Sequence, residues 1–188
     1  MNVMSAATGL RENESSAGGT SIRTDSAACS IARTMTVIGQ PWTVLVLRDL
    51  FNGLRRFDEL ADHLGVARNV LSRRLASLVE HDLIERAEYR EAGQRARHEY
   101  RLTPAGRDLR PVLLALMDYG DHHFAGEDGP PMRFLHRDCG GAVAVRVECS
   151  EGHRLGSDAR LVPDPGPGAR VVQPQPRIST LSPSESVL

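Results

Sequence analysis

Arg68, Asn69, Ser72 and Arg73 lie on a stretch whose leucines, Leu71, Leu75 and Leu78, recur at helical spacing. At about 100° per residue, Asn69, Arg73 and Ala76 fall nearly opposite that seam, and Arg68 and Ser72 flank it. An arginine fork matches the edge of guanine, an amide matches adenine, and a short serine permits close approach. Arg74 sits about 60° from the seam and suits a phosphate or a partner within the domain. A second cluster has different chemistry. His136 and Cys139, then Cys149 and His153, form two short-spaced pairs of the kind that bind zinc. Cys29 opens a predicted helix, where the positive end of the helix dipole favours a thiolate.

These residues need elements to position them. Phe57 to Leu64 reads as a short helix, stopped by Gly65, and about Arg68 to His81 as a second helix. Leu83 to Leu102 reads as a hairpin, with strands at about 84–90 and 98–102. Its tip, Ala92 to Arg97, carries Arg95 and Arg97, which suit a minor groove or adjacent phosphates. Arg55 and Arg56, just before the first helix of the motif, also suit phosphate. Helix, turn, helix and hairpin together make a winged helix.

The flanks supply more helices. Ile31, Thr34, Met35 and Ile38 form a narrow stripe, broken by Gly39-Gln40-Pro41. Trp42 to Phe51 is apolar almost all round and reads as the buried centre, with Trp42, the single tryptophan, as a core anchor. Thr103 and Pro104 mark a further helix start. Pro111 should kink or split that helix. Its seam of Leu109, Leu113 and Leu116 is more than one small domain covers, so a second subunit is expected to cover it.

The predicted fold class is α+β, mainly α: a winged helix-turn-helix with terminal dimerisation helices and a small C-terminal β-containing extension. Residues 1–25 read as a disordered tail, 26–126 as the winged domain and 130–162 as a β-rich extension. Residues 163–188 read as a Pro/Gly/Ser-rich disordered tail. The chain has 188 residues, 40% of them hydrophobic, and a net charge of −1. Bulk charge thus gives no support for nucleic-acid binding, and the basic character is local. All 23 basic residues are arginine. No apolar run is long enough for a membrane span. Three widely spaced cysteines fit a reducing cytoplasm better than a disulfide scaffold. No Gly-x-Ser-x-Gly, phosphate loop or His-Glu-x-x-His is present, so an enzyme is not expected.

Five motifs in order carry a resemblance. They are Cys29-Ser-Ile-Ala-Arg-Thr-Met-Thr-Val-Ile-Gly39, Trp42 on its helix, Gly53-Leu-Arg-Arg-Phe-Asp-Glu-Leu60, Leu71-Ser-Arg-Arg-Leu75 and Tyr100-Arg-Leu-Thr-Pro-Ala-Gly106. Over about residues 29–120 the chain resembles the HxlR-type winged helix-turn-helix regulators and, more distantly, the MarR type. The resemblance implies a cytoplasmic, bacterial, homodimeric regulator on double-stranded operator DNA, often a repressor. It also implies a small-molecule or electrophile effector, with Cys29 as the redox-sensing candidate. One position departs from the family. Ala67 stands where a serine usually caps the recognition helix, a loss of about 1 kcal/mol. In the extension, Ser-Glu-Gly-His replaces the second Cys-x-x-Cys-like pair of many relatives. Ala142 to Val147 shows no turn residue and reads as extended, which would part Cys139 from Cys149 by about 30 Å. His136, Cys139, Cys149 and His153 are therefore expected to be a metal-free remnant, with no cofactor. The rival readings are a winged-helix interaction module without DNA binding and a thiol oxidoreductase using Cys139 and Cys149.

Overall fold

The computed structural model describes residues 25–90 and 96–170. Most of the two predicted tails, and Arg95 at the wing tip, lie outside the described residues. The chain divides into two units. One comprises residues 1–28 and 163–188; its described part holds a 3-10 turn at Ser26–Ala28 and a backbone hydrogen bond from Asp25 N–H to the Arg170 carbonyl. The other, Cys29–Val162, carries everything that follows.

Four helices open this unit: α1 (Ser30–Ile38), α2 (Thr43–Phe51), α3 (Phe57–Leu64) and α4 (Arg68–Glu80). A hairpin follows, β1 (Ile84–Tyr89) and β2 (Arg97–Leu102), antiparallel from Ile84 opposite Leu102 to Tyr89 opposite Arg97. Then come α5 (Pro104–Arg107), α6 (Arg110–His123) and a two-residue pair, β3 (Val147–Glu148) and β4 (Arg154–Leu155). The core joins Val46, Leu47 and Leu50 of α2 to Leu60 of α3, Leu71, Leu75 and Leu78 of α4, and Ile84 of β1. Truncating any one of these leucines to alanine should cost about 2–5 kcal/mol.

α2 is not as the sequence predicts. Trp42 lies outside the helix in the left-handed region, at φ 74°, and is 39% exposed. It is not a core anchor. Pro41 fixes the chain in a turn closed by Thr43 N–H on the Gln40 carbonyl, so the helix begins one residue later and Thr43 takes the buried place. Leu45 is exposed as well, whereas Asp49 is completely buried. Its carboxylate accepts from the Arg48 guanidinium at 2.8 Å and meets His63 Nδ1 at 2.7 Å. A buried carboxylate is tolerated only when paired. Here the pairing ties α3 to α2 and so sets the first helix of the helix-turn-helix.

Gly65 ends α3 in the left-handed conformation, as expected from its missing Cβ. α4 starts without a side-chain cap at Ala67. Its far end is bound to the wing. Leu83 N–H closes onto the Leu78 carbonyl, and Thr103 N–H onto that of Leu83. The Thr103 hydroxyl donates to the Asp82 carbonyl at 2.6 Å and accepts from Gly106 N–H at 3.0 Å. Any Cβ at Gly106 would overlap the Leu83 carbonyl oxygen. The Thr-Pro helix start is thus confirmed and doubles as a seam between α4, β2 and α5.

The predicted split at Pro111 is present: α5 ends at Arg107 and α6 carries Pro111 in its first turn. The predicted leucine seam is divided. Leu109 and Leu113 lie half-buried against the core, and Leu116 is exposed. In the extension, no turn or bend interrupts Ala142–Val147. Ala142 bridges to Leu135, Val147 and Glu148 pair with Leu155 and Arg154, and residues 143–146 join two separate hairpins. Gly140 and Gly152, both left-handed, close the turns on either side of this stretch.

Candidate nucleic-acid interface

α4 presents the two faces that its sequence requires. Leu71, Leu75 and Leu78 are sealed in the core, and Asn69, Ser72, Arg73 and Ala76 are exposed on the other side. Arg73 Nε donates to the Asn69 carbonyl one turn back at 3.3 Å. Arg68 is exposed but engaged: its guanidinium bonds Asp58 Oδ1 at 2.8 Å and lies 4.6 Å from the centre of the Phe57 ring. Arg74 is half-buried, and its Nε is buried without a hydrogen-bond partner.

The two-stranded wing is tied to the chain entering α3: Tyr100 N–H donates to the Arg55 carbonyl at 2.8 Å, and Arg56 forms an isolated antiparallel bridge with Glu99. The Glu59 carboxylate accepts from the backbone N–H groups of Arg55 and Arg56, at 3.2 and 3.0 Å, and fixes the start of α3. Arg55 is exposed, and Arg56 is half-buried with its guanidinium 4.7 Å from the centre of the Tyr89 ring. Arg97 begins β2 and is exposed.

Between α3, the start of α4 and the wing lies an open cleft of about 720 Å³. Arg56, Arg68, Arg86 and Arg97 line it, facing Asp58, Glu59 and Asp62. The structure thus gathers Arg56, Arg68, Ser72 and Arg97, all singled out by sequence, at one cleft. Arg86 was missed; its guanidinium stands 3.1 Å from His98 Nδ1 across the hairpin. Register explains the contact: Arg86 pairs with Tyr100 and His98 with Glu88, so Arg86 and His98 lie diagonally across the hairpin. Cys29 precedes α1 as its N-cap residue, half-buried, with no side-chain capping bond. Among the described residues no helix is long and apolar enough to cross a membrane.

A buried-seam helix beside a two-stranded wing with an arginine-lined cleft defines a winged helix-turn-helix of the DNA-binding class. Residues 37–128 match the model of the HxlR-like helix-turn-helix family. The chain is 41% identical over 139 residues to an uncharacterized HTH-type transcriptional regulator of Mycobacterium tuberculosis (strain ATCC 25618 / H37Rv), covering 74% of this chain and 87% of that protein. It is 40% identical over 93 residues to one from Synechocystis, covering 49% of this chain and 67% of the relative. The crystal structure of PA1607, described as a candidate transcription factor, superposes with a TM-score of 0.63 at 38% identity, covering 73% of this chain and 96% of the other. The chain belongs to the HxlR-like helix-turn-helix family of transcriptional regulators.

Proposed function

We propose that this regulator is a cytoplasmic homodimeric repressor that reads an inverted-repeat operator in double-stranded DNA. One observation carries the reading: the exposed Asn69, Ser72 and Arg73 face of α4 lies over a sealed leucine seam and beside the arginine-lined cleft. In this reading α4 enters the major groove, with Asn69, Ser72 and Arg73 on base edges. Arg55, Arg56, Arg97 and the wing-tip Arg95 hold phosphates or the adjacent minor groove. Arg68 joins them on leaving Asp58, and Arg74 supports the backbone contacts. The exposed apolar side chains Ile31 and Met35 of α1 and Leu116 and Tyr119 of α6 form the dimer face. A two-fold through them would set the recognition helices about 34 Å apart, one turn of DNA. Cys29, the N-cap residue of α1, would couple an electrophile or oxidant to operator release. Diamide should then weaken operator binding by the wild type and leave Cys29→Ser unaffected.

Selection of bound duplexes from a random pool, followed by sequencing and gel shift, tests the core of the reading. An enriched palindrome bound by two chains is the expected result. No enrichment and no shift would favour a winged-helix interaction module that does not bind DNA.

A further inference from the structure

We propose that a second cavity, at the joint between α5 and α6, binds one small aromatic carboxylate per chain. It measures about 440 Å³ and takes residues from α2, the chain just after it, both wing strands, α5 and α6, and none from α4. Only Tyr100 is shared with the arginine-lined cleft beside α4. Its volume falls in the lower part of the range of small-molecule sites, roughly 300–1,000 Å³, and suits a ligand of one or two rings.

The first observation is charge. Arg55, Arg101, Arg107 and Arg110 line the cavity against one carboxylate, Glu85. Glu85 stands opposite Arg101 in the hairpin register, and Arg101 Nε is bonded to Glu99 Oε1 at 2.6 Å. Among the described residues the other three arginines make no ion pair. Arg107 Nη1 donates to the Leu102 carbonyl at 2.7 Å, which holds the fork in place and leaves its other N–H groups for a ligand. The Arg110 guanidinium lies 5.3 Å from the centre of the Phe51 ring. A guanidinium braced in this way can meet a carboxylate through two parallel hydrogen bonds.

The second observation is the apolar wall. Leu50 is buried, and Phe51, Tyr100 and Leu102 are half-buried beside the arginines. Inorganic phosphate or a DNA phosphate would meet the cations and leave this wall unused. An aromatic carboxylate uses both: its ring covers the wall, and its anion meets the guanidinium.

The position gives such a ligand a lever. Arg107 ends α5 and Arg110 begins α6, so a carboxylate held by both spans Asp108 and Leu109. Arg55, assigned above to a DNA phosphate, lines the same cavity. Bound ligand and operator would therefore compete for one guanidinium, a consequence that rests on the DNA-binding reading, as the site itself does not.

The test is calorimetric titration of the full-length, DNA-free chain with 1-naphthoate, its neutral amide 1-naphthamide, and inorganic phosphate. One naphthoate per chain is expected, with the amide and phosphate each weaker by about tenfold or more. Arg107→Gln and Arg110→Gln should each weaken naphthoate by about 10–100-fold while far-UV dichroism stays unchanged. Amide hydrogen exchange at residues 108–110 should slow on binding. No uptake, an amide as tight as the acid, phosphate as tight as naphthoate, binding that survives both glutamine changes, or no protection at the joint would each overturn the proposal. Because DNA is absent, failure here is read separately from failure to select an operator.

Discussion

Asp49 and His63 meet at 2.7 Å across the boundary of α2 and α3, with the aspartate completely buried and the histidine half in solvent. His63 and the partly exposed Arg48 are the two side chains bonded to that carboxylate. Removing His63 leaves a buried charge with one partner instead of two. His63→Ala should cost about 1–3 kcal/mol, read as a lower urea midpoint with unchanged slope. Asp49→Asn, which keeps the shape but not the charge, should cost a similar amount, and the double change less than the sum. Additive losses would show that the pair does not act as a unit.

Arg68 is held by Asp58 at 2.8 Å, so part of the basic surface is neutralised before DNA arrives. Asp58→Asn should raise affinity for random duplex and steepen its salt dependence by up to about one unit. An unchanged slope would mean that Arg68 never reaches a phosphate.

Arg73 and Arg97 should differ in kind. Arg73 projects from the exposed face of α4, and Arg73→Ala should cost about 1–3 kcal/mol on the operator and relax one base position per half-site. Arg97 begins a wing strand, and Arg97→Ala should weaken operator and random DNA alike while flattening the salt slope by about one unit. Binding of both variants to both duplexes over a salt series separates the roles; the reverse pattern would exchange reader and clamp.

Leu116 is 52% exposed on α6, unlike Leu109 and Leu113, which rest on the chain's own core. Leu116→Glu should leave the fold intact and shift the species seen by light scattering from dimer to monomer at micromolar concentration. A dimer that persists would place the interface elsewhere.

Much of the reading head was legible because local rules govern it. Leu71, Leu75 and Leu78 announce their buried face by spacing, Gly65 by its missing Cβ, and Thr103-Pro104 by capping chemistry. What escaped depends on partners distant in sequence. Asp49 interrupts an apolar run, and its reason for being there, His63, comes a helix later. A charge inside such a run was itself the signal of a paired buried group. The bridge at Arg56 has no periodicity to announce it and forms because β2 offers it an edge. Trp42 was misplaced because hydrophobicity alone was weighed, whereas the turn at Pro41 decided where its side chain points. In the extension, the turns at Gly140 and Gly152 fold the chain back on either side of Ala142–Val147.

The seam around Thr103 has a consequence for how a signal could travel. Asp82, Leu83, Thr103 and Gly106 lock the end of the recognition helix, the root of the wing and the start of α5 to one another, leaving no space for even a methyl group at Gly106. In the reading proposed above, this lock keeps α4 and the wing in one relative geometry. What remains adjustable is the joint at Asp108–Leu109, between α5 and α6, beyond which Leu109 and Leu113 rest half-buried on the core and the Arg110 guanidinium lies 5.3 Å from the centre of the Phe51 ring. In the proposed dimer, induction would then work like calipers: each jaw keeps its shape, and the gap between the jaws decides whether two successive turns of DNA are gripped or missed.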